Sequence, residues 1–315
     1  MKTFDDTYIS VLRRILSEGV QKHNRTGMDT LSVFCDTIEG GDTFPISNLR
    51  KIHYRGAIIE TLWLLGLHAK DERYRNLPLT NIKYLQDHKV NYWNPWADEN
   101  GNLGPVYGEQ LVRWKQYNGK KQPVMDEEDT TTTIHIINQV QGVIDKLRIN
   151  PDDRRLVCTM WNPSELDKMA LPPCHHTHEY YSRPTTDGRR FLDLRWFQRS
   201  CDMPLGIPYN ILQYTILCKI VALCTGHELG RVYGCLGDAH VYVNQLDGVR
   251  ELIRRYDAGE HLSCPMPRLE ISERLLKIQQ EKGGFIDLSD IAIDGSDFIV
   301  CDYAPLSDVK MPVSV

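Results

Sequence analysis

The chain has 315 residues, 41% hydrophobic and 25% charged, which supports a sizeable core and matches an ordinary soluble globular protein. Its net charge of −5 supplies no basic field, which argues against nucleic acid as a bulk partner. An anionic small molecule would need a local arginine cluster. The nine cysteines are scattered, with no CxxC pair and no regular framework, a pattern of free thiols in a reducing compartment.

The N-terminus, Met1 to Asp6, lacks the apolar run of a signal peptide. Thr3 can cap a helix in which Phe4, Tyr8, Leu12 and Ile15 recur at helical spacing, ended by Gly19. Asn24-Arg25-Thr26-Gly27 is a polar turn before a strand-like run from Thr30 to Cys35. Arg25 there is either a solvated charge or an anion ligand. The run from Ile58 to Leu65 is helical, with Glu60 inside it. That carboxylate is either lifted to the surface or held in a cleft with a raised pKa. Residues 66–85 read as a connection of mixed charge. Trp93 and Trp96 sit among turn residues, where tryptophans line a core rim or stack on a planar ligand.

Residues 115–133 combine low hydrophobicity, the acidic run Asp126 to Asp129 and several threonines, and read as a solvated insertion. A helix is predicted from Ile134 to Leu147, then a strand from Leu156 to Trp161. Between them Arg154 and Arg155 are either a plain surface pair or a phosphate clamp. Runs from His176 to Ser182 and from Phe191 to Phe197 read as strands joined by a turn at Thr185 to Gly188. The stretch from Ile211 to Cys224 is apolar apart from Gln213 and Lys219, too short for a bilayer and suited to a buried helix. Gly237-Asp238-Ala239-His240-Val241-Tyr242 is expected to start a further helix reaching about Tyr256. No internal repeat, phosphate loop or dinucleotide fingerprint occurs.

The centre of the chain carries Leu171-Pro172-Pro173-Cys174-His175-His176. Proline restricts its own φ and the residue before it, so the backbone enters Cys174 stiffly. A thiolate is a strong nucleophile that nearby cations bring into the working pH range. Most cysteines are, equally, small buried hydrophobes. In a strand, Cys174, His176 and His178 share one face, which raises zinc, but no second ligand pair has metal-site spacing and no metal is expected.

Taken together these segments resemble the thymidylate synthase family over nearly the whole chain. The likeness rests on Asn24 to Gly27, Phe44-Pro45, Glu60 to Trp63, the stretch from Trp93 to Gly108, and Asp153-Arg154-Arg155. It continues through Glu165 to Ala170, Pro173-Cys174-His175, Gln198 to Asp202, Leu205 to Asn210, Gly237 to Tyr242 and Pro312 to Val315. The resemblance implies that Cys174 adds to C6 of the uracil of dUMP, with 5,10-methylenetetrahydrofolate as one-carbon and hydride donor. It implies that Glu60 manages protons, that Tyr107 and His175 line the site, and that Arg25, Arg199 and Ser200 hold the phosphate. Arg154 and Arg155 would join them from the partner subunit of a homodimer. The converging arginines are expected to favour the thiolate. Asn210 would read the uracil edge, and His240 and Tyr242 the deoxyribose hydroxyl. Arg50, Lys51, Trp93, Trp96, Asp202, Leu205, Gly206, Tyr209 and the terminal Val315 would contact or close over folate.

Several positions depart from the family pattern: His176 to Ser182 is polar where an apolar run is commoner, Leu236 stands at a frequent glycine, and Arg50-Lys51 is a swapped pair. The expected fold is α/β (α+β), residues 1–315 forming one thymidylate synthase-like domain with a large mixed or antiparallel sheet, helices on one face and dimerisation through the other. The expected protein is cytoplasmic, with no membrane partner. A deoxyuridylate hydroxymethylase, in which water replaces hydride, is the nearest alternative. A regulatory RNA-binding role finds no basic–aromatic pattern in its support.

Overall fold

The computed structural model describes residues 2–118, 133–289 and 292–313. In chain order its helices are α1 (Phe4–Glu18), α2 (Tyr54–Leu64), α3 (Lys83–Asp87), α4 (Gly108–Arg113), α5 (Gln139–Ile149), α6 (Ile207–Thr225), α7 (Leu246–Asp257) and α8 (Glu273–Glu281). The strands are β1 (Val20–Lys22), β2 (Thr30–Glu39), β3 (Trp114–Asn118), β4 (Thr133–Ile137), β5 (Val157–Thr159), β6 (His175–Pro184), β7 (Arg190–Asp202), β8 (Glu228–Tyr242), β9 (Arg268–Ile271) and β10 (Phe298–Cys301).

Helix α1 begins where the sequence places it. The Asp6 carboxylate accepts from the Thr3 backbone N–H at 2.6 Å and from its hydroxyl at 3.0 Å. At its end a Cβ on Gly19 would lie 2.3 Å from the Ile15 carbonyl oxygen, so only glycine fits. Phe4, Tyr8, Leu12 and Ile15 are buried, as their spacing predicts.

Six strands form the main sheet in the order β1-β2-β8-β7-β6-β5. All neighbours are antiparallel except β7 and β8, whose parallel pairing needs a long crossover. That crossover is α6, nearly all of it buried, as its apolar sequence requires. At 19 residues it outruns the 211–224 stretch expected to be too short for a bilayer and is long and apolar enough to cross a membrane, but 83% of its apolar window is buried inside the protein, as in a core helix. The sheet is therefore mixed, with the α2 and α6 layer covering one face.

Two expectations are corrected. Ile134 to Ile137 is not the start of a helix but strand β4, paired antiparallel with β3. Its β-branched residues suit a hairpin, and Asn138 caps α5 by accepting from the Gln141 N–H at 2.9 Å. The predicted insertion is thus structured at both ends, as strand at 115–118 and 133, and its remaining residues lie outside those described. Gly237 to Tyr242 is the end of β8, with a helix beginning only at Leu246. β8 is hydrogen-bonded to β2 on one side and β7 on the other, and this pairing outweighs the local helix signal.

Gly234 lies where β8 crosses the buried Trp196 of β7, and a Cβ there would sit 2.5 Å from the indole ring. Gly234→Ala should therefore destabilise the protein by about 1–3 kcal/mol, read as a lowered denaturant midpoint at unchanged m-value.

Candidate active site

The C-terminal end of β7, the start of β6 and the end of β8 meet at one end of the sheet. Register pairs His175 with Gln198, Ser200 with Asp238 and Asp202 with His240. Cys174 immediately precedes β6 and is partly buried. Its backbone N–H donates to the Tyr107 hydroxyl oxygen at 2.8 Å, and its carbonyl accepts from the Arg199 N–H at 2.9 Å. The Arg199 guanidinium is held over the site by the Pro173 and Pro172 carbonyls, both at 2.9 Å, and lies over the Trp161 ring. Tyr107 reaches Cys174 from a backbone with φ of 25°, a sparsely populated conformation for a residue with a side chain.

The thiol differs from expectation. Burial pushes the Cys174 pKa above the ordinary thiol value, and the fields of Arg199 and Arg25 with the Tyr107 hydroxyl offset this only in part. Desolvation thus outweighs the cations in the chain as it stands.

Helix α2 delivers Glu60 into a buried pocket. Trp93 Nε1 donates to its Oε1 at 2.6 Å, and the Tyr92 hydroxyl and the Gln213 amide both donate to Oε2. Burial raises the Glu60 pKa from 4.5 to about 7, against the lowering effect of Tyr92 and Trp93. Of the two sequence readings for Glu60, the cleft is the one observed. His175 is buried against Tyr107 with Nδ1 2.8 Å from the Tyr214 hydroxyl, and desolvation pulls its pKa down to about 3, so it stays neutral.

On α6, Asn210 Nδ2 donates to Gln213 Oε1 at 2.9 Å, while its Oδ1 accepts from Gln198 Nε2 at 3.1 Å. Asp202, Leu205 and Gly206 form the approach to this helix, and Tyr209 lies in its first turn. Asp202 accepts from the Leu205 N–H at 3.0 Å, and burial raises its pKa. His240 Nδ1 lies 3.2 Å from Asp238, and its ring meets Tyr242 edge-on. Tyr242 is in the field of Arg25, which stands exposed on the turn before β2. Trp93, Trp96 and Tyr107 make an aromatic wall with ring centres 6.0 and 5.7 Å apart. Arg50 is buried with its guanidinium donating to the Pro204 carbonyl at 2.6 Å, whereas Lys51 is exposed.

Arg154 and Arg155 are exposed at the start of β5, where Arg155 is turned to Asp153. Val315 lies outside the described residues, though Pro312 is anchored by Gln245 Nε2 at 2.9 Å. The shared face of Cys174, His176 and His178 is also not found. A bulge between His175 and Thr177 breaks the alternation, turning His178 into the core and leaving His176 half-buried against Trp161. Among the described residues no His, Cys, Asp and Glu side chains gather as a metal site. Two cavities of about 590 and 540 Å³ lie elsewhere and are lined by none of the candidate residues.

Sequence reasoning missed Tyr92, Gln198, Gln213 and Tyr214. Gln213 left a signal: it breaks an apolar run one helical turn after Asn210.

Arg199→Ala should raise the Cys174 pKa further. Iodoacetamide labelling of the Cys174 peptide at pH 8, followed by mass spectrometry, should slow roughly three- to tenfold. A second expectation concerns Glu60. Its folded pKa exceeds the ordinary value, so the protonated carboxyl stabilises the fold fully below pH 4.5, and this contribution is lost as pH rises through about 7. Relative to Glu60→Leu, wild type should thus lose on the order of 3 kcal/mol over that window, measured as the difference between denaturation curves at each pH.

The description that matches this chain is thymidylate synthase, whose family model covers residues 6–315. The chain belongs to the thymidylate synthase family, enzymes that transfer a one-carbon unit to dUMP with methylenetetrahydrofolate as cosubstrate.

Proposed function

We propose that the protein is a thymidylate synthase, converting dUMP to dTMP with 5,10-methylenetetrahydrofolate, which leaves as dihydrofolate. The observation that carries this reading is a part-buried cysteine in the field of two arginines, with Tyr107 beside it in the field of both that cysteine and a buried carboxyl. Cys174 adds through sulfur to C6 of the uracil ring, and the ring carbon next to it becomes nucleophilic. Because burial keeps the thiol protonated at rest, its proton passes to solvent water as the nucleotide seats, with Arg199 and Tyr107 supporting the anion. Arg199, Arg25 and Ser200 take the phosphate, Asn210 the base edge, and His240 with Tyr242 the sugar hydroxyl.

Glu60 is poised near neutrality to give or take a proton, held in place by Tyr92, Trp93 and Gln213. His175, neutral, serves as a hydrogen-bonding wall. Methylenetetrahydrofolate supplies the one-carbon unit and the hydride when bound. A planar group of this kind fits the wall of Trp93, Trp96 and Tyr107. Those rings, by holding folate and excluding water, favour hydride over water as the final donor. Two of the polar residues after the nucleophile are engaged with neighbours in the sheet, which supports the synthase: Thr177 meets Thr159 and Glu179 pairs with Arg195. His176 stays half-buried against Trp161, and His178 is buried in the core.

The exposed positions of Arg154 and Arg155 support their reaching a partner's phosphate site across a homodimer. Phe34 and Tyr181, 77% and 63% exposed, fit a face covered by that partner.

The test is the product formed from dUMP and methylenetetrahydrofolate, analysed by mass, with dihydrofolate followed by absorbance. Methylated product in step with dihydrofolate is expected, and Cys174→Ser should bind dUMP yet turn over less than a hundredth as fast, roughly. Hydroxymethylated product without dihydrofolate would overturn the synthase reading.

A further inference from the structure

Asn210 does not stand alone in its pocket. The Trp196 indole N–H, a group that can only donate, gives its hydrogen to Gln198 Oε1 at 3.0 Å. Gln198 Nε2 then donates to Asn210 Oδ1 at 3.1 Å and to the Ser200 carbonyl at 3.0 Å. Asn210 Nδ2 donates to Gln213 Oε1 at 2.9 Å, and Gln213 Nε2 donates to Glu60. An amide's orientation is normally a free choice between two nearly identical shapes. Here the obligate donor at one end sets the sense of the series, which runs from Trp196 through Gln198, Asn210 and Gln213 to a carboxyl that also accepts from Tyr92 and Trp93.

We propose that Gln213 is a positioning and specificity-determining residue: it locks the sense of the Asn210 amide and ties it directly to Glu60. This inference rests on the nucleotide reading above. With Asn210 so pinned, one N–H and one oxygen lone pair remain unused. They match O4 and N3–H of uracil, whereas cytosine offers the opposite pair. Accepting cytosine would require Asn210 to turn over and break its bonds to both Gln198 and Gln213. Gln213 touches no substrate atom; it acts through Asn210 and Glu60.

The experiment measures binding of dUMP and dCMP by calorimetry to the full-length protein and to two variants. Gln213→Met preserves length and apolar packing but neither accepts from Asn210 nor donates to Glu60. Its preference for dUMP over dCMP should fall about tenfold, the effect of one hydrogen bond no longer enforced. Gln213→Glu still accepts from Asn210 and should keep most of the preference. A purely structural role predicts the reverse order, with Met benign and the buried carboxylate harmful. An unchanged dUMP-to-dCMP ratio in Gln213→Met, or an equal loss in Gln213→Glu, overturns the proposal alone. Wild-type protein that binds neither nucleotide overturns the functional reading, and this inference with it. Should Gln213→Met fail to fold, Trp196→Phe removes the donor at the far end. The same loss of preference is expected there, and a retained preference rejects the proposal.

Discussion

β7 and β8 run parallel, and parallel neighbours cannot be joined by a tight turn. The chain must leave the end of β7, cross the face of the sheet and return to the start of β8, and the segment that does so is α6. This geometry brings together the end of β7, the beginning of α6 and the end of β8. Arg199, Ser200 and Asp202 come from the first, Asn210 and Gln213 from the second, His240 and Tyr242 from the third. Antiparallel β6 then lays His175 beside Gln198 and sets Cys174 at the same sheet end. The site follows from one topological requirement, with α2 closing it from above through Glu60.

At rest the pocket is short of charge. The Cys174 thiol, the Tyr107 phenol and the Glu60 carboxyl all have raised pKa values, and His175 has a lowered one, with burial the largest cause in each case. Desolvation favours the neutral form of every one of them. Such a pocket costs less to bury than one full of ions. Arg25 and Arg199 stay at the rim, where water still reaches them.

Much of this was legible in the chain. The spacing of Phe4, Tyr8, Leu12 and Ile15 set α1, the turn at Thr185 to Gly188 set the β6–β7 hairpin, and the apolar run of α6 announced a buried helix. The grouping of Cys174, Glu60, Asn210 and Arg199 in one site came from the resemblance to the family, and in the structure they lie around one end of the sheet. What the sequence hid was non-local. Gly237 to Tyr242 has a helical look, and only pairing with two other strands makes it β8. The resting state of Cys174 depends on how much protein covers it, which no spacing reveals. Tyr92 and Gln213 are unremarkable by residue type, and their hydroxyl and amide acquire meaning only where α2, α6 and the turn at residues 92–93 converge on one carboxyl.

The backbone of Tyr107 sets one further condition on the protein. A φ of 25° is tolerated there because the surrounding packing and the hydrogen bond from Cys174 hold it. Glycine would relax that backbone and at the same time delete the hydroxyl that accepts from the Cys174 N–H and the ring that packs on His175 and Trp93. Local strain and chemistry are thus fixed in a single residue and pull in opposite directions. Selection for a more relaxed backbone at this position would act against the pocket, so robustness in this fold has to be sought at positions remote from residue 107.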